Sequence, residues 1–175
     1  MILYVLRHAE AIAADDKMPD EWRYLTEKGI KSVTRISEDL SKFGRKPRLI
    51  VTSPLVRAVQ TAQIAAGQAC RKNELIVSGL LRGDGDLDEL QDFLRRHAEA
   101  KRVMVVGHEP HLGSLVASLL QKEDQVHLQK AGCVALELDD DTGKPARFIW
   151  YKKPGKKPVT SFKKAFSPNP DKQDK

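Results

Sequence analysis

The sequence predicts a three-layer α/β/α sandwich around a mostly parallel sheet. Short, nearly all-apolar runs of strand length recur along the chain, and amphipathic segments of helix length alternate with them. The length, 175 residues, suits a single core rather than two. Hydrophobic residues make up 41% and charged residues 31%, an ordinary globular balance.

Ile2–Leu6 is the first run, apolar enough for a central strand buried on both faces. Residues 9–25 carry Pro19 and several charges and show no period, which predicts a loop. Thr26 is placed to cap a helix whose stripe is Ile30, Val33, Ile36, Leu40 and Phe43, with Gly44 ending it. Arg48–Thr52 is the second strand. Ser53-Pro54 then opens a helix, with Ser as cap, Pro in the first position, and Leu55, Val59, Ala62 and Ala66 as its stripe. Leu75–Val77 is the third strand, followed by a loop over 78–85. Asp86 and Glu89 form a capping box before a helix lined by Leu87, Leu90 and Leu94. Arg102–Val106 is the fourth strand. Pro110 starts a helix with Leu112, Leu115, Val116, Leu119 and Leu120 along one face. Cys133–Leu138 and Ala146–Tyr151 read as two further strands joined by a turn at Asp140–Lys144.

The domain is expected to span 1–151, with a basic, Pro- and Lys-rich tail over 152–175. The net charge of +6 suggests nucleic acid until it is located. Residues 152–175 hold eight lysines and two aspartates, whereas 1–151 hold 22 basic and 22 acidic residues. The domain itself therefore has no basic character. The tail composition predicts a solvated segment, with Phe162 and Phe166 able to dock. Nucleic acid or an anionic membrane would be met only through that tail. No apolar run reaches the roughly 20 residues that span a bilayer. The first strand is no secretory leader, so a cytoplasmic protein, and a monomer, is expected. Cys70 and Cys133 lack metal spacing and read as reduced, packed thiols.

In open α/β sheets, ligands bind beyond the carboxyl ends of the strands. The first strand ends in Arg7-His8. The second ends at Ser53, with Arg57 a helical turn further on, and the fourth ends in Gly107-His108. Two arginines and two histidines are thus expected at one sheet edge, beside two helix N-termini. The guanidinium fork matches phosphoryl oxygens. A neutral imidazole is a competent nucleophile when nearby positive charge holds its pKa down. The arrangement reads as a phosphate pocket with His8 as nucleophile, Arg7, Arg57 and His108 around the transferred group, and Ser53 as a cap or a phosphate-binding hydroxyl.

These residues resemble the histidine phosphatase superfamily, whose signature is an Arg-His pair ending the first strand, here Leu6-Arg7-His8-Ala9-Glu10. Leu25-Thr26-Glu27-Lys28-Gly29, Thr52–Ala62 and Val106-Gly107-His108-Glu109-Pro110-His111-Leu112 are similar to motifs of its short phosphohistidine phosphatases of the SixA type. The resemblance runs from about residue 2 to 151 and excludes the tail. It implies a phosphoglycerate mutase-like fold, a covalent phosphohistidine intermediate on His8, inorganic phosphate as product, and no metal or cofactor. It implies a phosphohistidine-carrying protein as substrate, with a small phosphoester or nucleotide as the alternative. The family's Gly after Arg-His is Ala9 here. The segment that supplies a general acid in many members is reduced to Leu81–Asp86, leaving Glu109, Asp84 or no acid at all. Glu10 either orients Arg7 or faces water. Trp22 and Tyr24 either line the mouth or pack. His97, His111 and His127 read as surface or loop residues.

Overall fold

The structure is a computed structural model describing residues 1–43, 46–69, 74–124, 126–139 and 143–166. Six strands form one sheet: β1 (Ile2–Arg7), β2 (Leu49–Thr52), β3 (Glu74–Val77), β4 (Arg102–Gly107), β5 (Cys133–Glu137) and β6 (Arg147–Lys152). Their order is β3-β2-β4-β1-β5-β6. The first four are mutually parallel, and β5 runs antiparallel to both β1 and β6. The helices are α1 (Glu27–Phe43), α2 (Val56–Ala69), α3 (Leu87–Arg96), α4 (His111–Leu119) and a short α5 (Phe162–Phe166).

The alternation of side chains along each strand separates two core layers. Leu3, Val5, Leu49, Val51, Val103 and Val105 face α3 and α4, packing on Leu90, Leu94, Leu112 and Leu115. Tyr4, Leu6, Ile50, Met104 and Val106 face α1 and α2, packing on Val33, Ile36, Ala58 and Ala62. With helices on both faces and mostly parallel strands, this is the sandwich the sequence predicts. Cys133 is buried as a free thiol, and burial pushes its pKa up. Cys70, Gly44 and most of the expected turn at 140–144 lie outside the described residues.

Local chemistry sets the helix starts. The Thr26 hydroxyl accepts the Gly29 N–H at 3.0 Å. Asp86 accepts from the N–H groups of Asp88 and Glu89 at 2.8 and 3.0 Å. The second helix begins at Val56 rather than at Pro54, because Ser53 and Pro54 remain part of the strand exit. The 9–25 loop contains a 3-10 turn over Asp20–Trp22.

The basic segment differs from the solvated tail expected from 152. It lies against the domain through Phe166. Val159 bridges Tyr151, and the Lys152 ammonium, 5% exposed, pairs with Asp39 at 2.9 Å. Phe162 and Phe166 meet Phe148 edge-on, and Phe166 stacks on Tyr151. Among the described residues, no helix is long and apolar enough to cross a membrane.

Candidate active site

Three strand ends are tied together just past the sheet. The His8 N–H donates to the Gly107 carbonyl at 3.0 Å, and the Ser53 N–H donates to the Val106 carbonyl at 2.9 Å. β1 pairs Arg7 with Gly107, and β2 pairs Thr52 with Val106. This register makes His8, Ser53 and His108 side-chain neighbours. The His8 and His108 ring centroids are 5.0 Å apart, and the Ser53 hydroxyl is 2.8 Å from His108 Nε2.

The His8 imidazole has a defined free nitrogen. His8 Nδ1 donates to the Ala9 carbonyl at 2.7 Å, so the ring's other nitrogen, Nε2, keeps its lone pair. The Ala9 N–H is held in turn by the buried Thr61 hydroxyl at 3.1 Å. Ser53 Oγ accepts the Leu55 N–H at 3.4 Å and shares a hydrogen bond with His108 Nε2, as donor when the His108 proton sits on Nδ1 and as acceptor when it sits on Nε2. That Nδ1 is buried without a protein partner, as is Arg7 Nε. Buried polar atoms without partners are rare; the Arg7 donor suits an anionic ligand, and so does His108 Nδ1 when it carries the ring proton.

Burial is the largest influence on both histidines. It pulls the His8 pKa down to about 3, helped by His108, Arg57 and Arg7 and opposed by the Ala9 hydrogen bond. It pulls His108 down to about 4, helped by Arg57. Both rings are therefore neutral at ordinary pH, as nucleophilic chemistry at His8 requires.

Residues 3–80 match the family model of the histidine phosphatase superfamily (branch 1). The chain is 33% identical over 140 residues to an uncharacterized protein of Picosynechococcus sp., covering 78% of this chain and 84% of that one. The chain belongs to the histidine phosphatase superfamily. Its fold is similar to that of the protein histidine phosphatase SixA complexed with tungstate, with TM-score 0.79 and 23% identity over 88% of this chain and 97% of that one. It is also similar to a mycobacterial glucosyl-3-phosphoglycerate phosphatase complexed with VO3, with TM-score 0.64 and 19% identity over 84% and 96% of the two chains. At these identities the structural likenesses speak for the phosphoglycerate mutase-like fold.

In this member of the superfamily, the two arginines are held by different devices. Arg57, 8% exposed in the first turn of α2, donates to the Asp20 carbonyl at 2.7 Å and to Asp20 Oδ2 at 2.9 Å. Asp20 also pairs with Arg23 at 2.7 Å. Partial burial works against the Asp20 carboxylate, but its bonds to Arg23 and Arg57 outweigh that and hold its pKa below the usual range. The irregular 9–25 loop thus has a definite task. Nothing in the sequence joins Asp20 to Arg57, because the link is made only by the tertiary fold.

Arg7 Nη1 donates to the Leu128 carbonyl at 2.7 Å and lies 3.3 Å from His127 Nε2. Glu109 braces this segment. Its side chain is 6% exposed, its Oε1 accepts the Leu128 N–H at 3.1 Å, and its Oε2 is 3.4 Å from His127 Nδ1. Burial raises the Glu109 pKa, against the pull of that backbone bond, His127 and Arg7. Gly113 allows the close approach, since a Cβ there would sit 2.0 Å from the Val126 carbonyl and 2.9 Å from Glu109 Oε2.

Other expected residues lie elsewhere. Asp84 is exposed in the loop before α3, and Asp86 is spent on its cap. Glu10 orients no arginine; it bonds Thr26 at 3.2 Å and Lys28 at 2.9 Å. His111 is buried, not on the surface, with Nε2 3.0 Å from the Leu80 carbonyl, because the first turn of α4 packs against that segment. Trp22 and Tyr24 are exposed. Among the described residues, no three His, Cys, Asp or Glu side chains gather as a metal site.

Proposed function

We propose that this chain is a protein phosphohistidine phosphatase acting through a covalent phosphohistidine on His8. The observation that carries the reading is the His8 ring: neutral, fixed through Nδ1, with Nε2 free beside Arg7, Arg57 and His108. Membership of the superfamily supports phosphatase chemistry. In the first step the Nε2 lone pair attacks phosphorus while the P–N bond to the substrate imidazole breaks. That bond's electron pair returns to the leaving nitrogen. The imidazole departs neutral when its distal nitrogen is already protonated, so no protein acid has to act. Arg7, Arg57 and the His108 Nδ1–H stabilise the charge on the transferred oxygens. Water then attacks the phosphoryl-His8, releasing inorganic phosphate and the free ring. Glu109, with both oxygens engaged, serves as a brace for the Leu128 segment that holds Arg7.

The short connection from β3 to α3, residues 78–86, supports a protein substrate, because it places little chain over the strand ends. A small phosphoester is the second reading, favoured by the likeness in fold to the mycobacterial glucosyl-3-phosphoglycerate phosphatase. Turnover decides between them. The kcat/KM on a phosphohistidine-carrying protein is expected to exceed that on sugar and nucleotide phosphates by about tenfold or more. Faster hydrolysis of any metabolite ester would overturn the protein-substrate reading.

A further inference from the structure

The surplus of positive charge is more localised than the tail boundary suggests. Residues 152–166 contain six lysines and no acid, while 167–175 hold two lysines and two aspartates. β6 is parallel to β1, since both run antiparallel to β5, so the chain leaves β6 at the edge where Arg7 leaves β1. Lys152 pairs with Cys133, which pairs with Leu6. The exit is thus two strand spacings, about 10 Å, from the end of β1. Lys152 is engaged by Asp39. Lys153 follows, 5.6 Å over the Tyr151 ring, then the exposed Lys156 and Lys157. Exposed Lys130 adds a fourth charge beside Ala131, whose N–H donates to the His8 carbonyl at 3.2 Å. None of these four ammonium groups lies within 4 Å of a described carboxylate, although Lys130 acts through space on the Glu10 carboxylate, which is bonded to Lys28.

The opposite flank carries more acid than base. Asp15, Asp16, Asp20 and Glu21 are exposed on the loop that grips α2, with Lys17 among them and Asp20 paired to Arg23 and Arg57. The candidate site therefore sits between a basic and an acidic flank. A protein partner covers about 800 Å² of each surface, a disc roughly 30 Å across, so one centred on His8 reaches the lysines.

Resting on the reading of the substrate as a phosphohistidine protein, we propose that Lys130, Lys153, Lys156 and Lys157 dock an acidic face of that protein. Exposed rim charges of this kind steer association and set orientation. α5 carries Lys163 and Lys164 away, over the α3/α4 face, so these two do not belong to the surface.

The test uses three peptides with one phosphohistidine and acidic, neutral or basic flanks. Binding is measured on full-length His8→Ala, and turnover on the wild type. At low salt the acidic-flank peptide is expected to bind about tenfold tighter than the neutral one, with the gap closing at high salt. K153E/K156E/K157E should abolish the preference and leave phosphoramidate hydrolysis unchanged, while K163E/K164E should leave both intact. Equal binding of the three peptides, or an equal effect of the two sets of reversals, would overturn the docking surface. So would single-stranded RNA binding more tightly than the acidic peptide and being lost in K153E/K156E/K157E. If the flank preference appears in binding but no phosphohistidine peptide is hydrolysed, the substrate reading fails and the docking surface stands.

Discussion

The two site histidines are kept neutral by burial, and this sets a cost on acidification. In an unfolded chain an imidazole titrates near pH 6.5. In the fold His8 resists protonation to about pH 3 and His108 to about pH 4. Between those values and 6.5 the unfolded state binds more protons, so the stabilisation present above pH 6.5 is lost as pH falls through that window. Each histidine should cost about 2 kcal/mol of stability between pH 6.5 and pH 5. Denaturant unfolding at both pH values measures this, and His8→Asn should remove about half of the histidine contribution. A variant with the wild-type pH dependence would show that His8 takes up its proton in the fold. At this scale Arg7, His8 and His108 are legible in the sequence because each lies at a strand end, and Arg57 because it opens the helix that follows one. Asp20, Glu109 and His127 acquire their partners only when distant loops meet.

Apolar runs identify the strands because a strand buried on both faces leaves no polar position. Helix starts are less legible, since Ser53 is drawn out of the α2 cap toward His108. The first turn of α1 shows how an element is fitted to the site loop. A Cβ on Gly29 would sit 2.0 Å from the Glu10 carbonyl, two residues past His8. On an exposed helix Gly→Ala gains up to about 1 kcal/mol. Here Gly29→Ala should destabilise by about 1–3 kcal/mol, as overpacking does, and should lower activity by displacing the β1–α1 loop. A thermal melt of Gly29→Ala at or above the wild-type Tm would contradict this packing.

Over the whole molecule, composition misleads at the C-terminus. Six lysines within 152–166 read as solvated chain, yet Phe162 and Phe166 fall where they meet Phe148 and Tyr151. Of these lysines, Lys153, Lys156 and Lys157 follow the exit of β6 at the edge where β1 ends. Truncation after Lys153 uncovers Phe148 and Tyr151 and should cost on the order of 3 kcal/mol. Unchanged denaturant stability of the truncated chain would show that the segment contributes nothing to the fold.

In the proposed mechanism His8 carries the phosphoryl group. Rapid quenching with labelled phosphohistidine protein, followed by mapping of the label, tests it directly. An acid-labile, alkali-stable phosphoryl group is expected on the His8 peptide of the wild type and none on His8→Ala. Label that persists on His8→Ala, or maps to another residue, would contradict it.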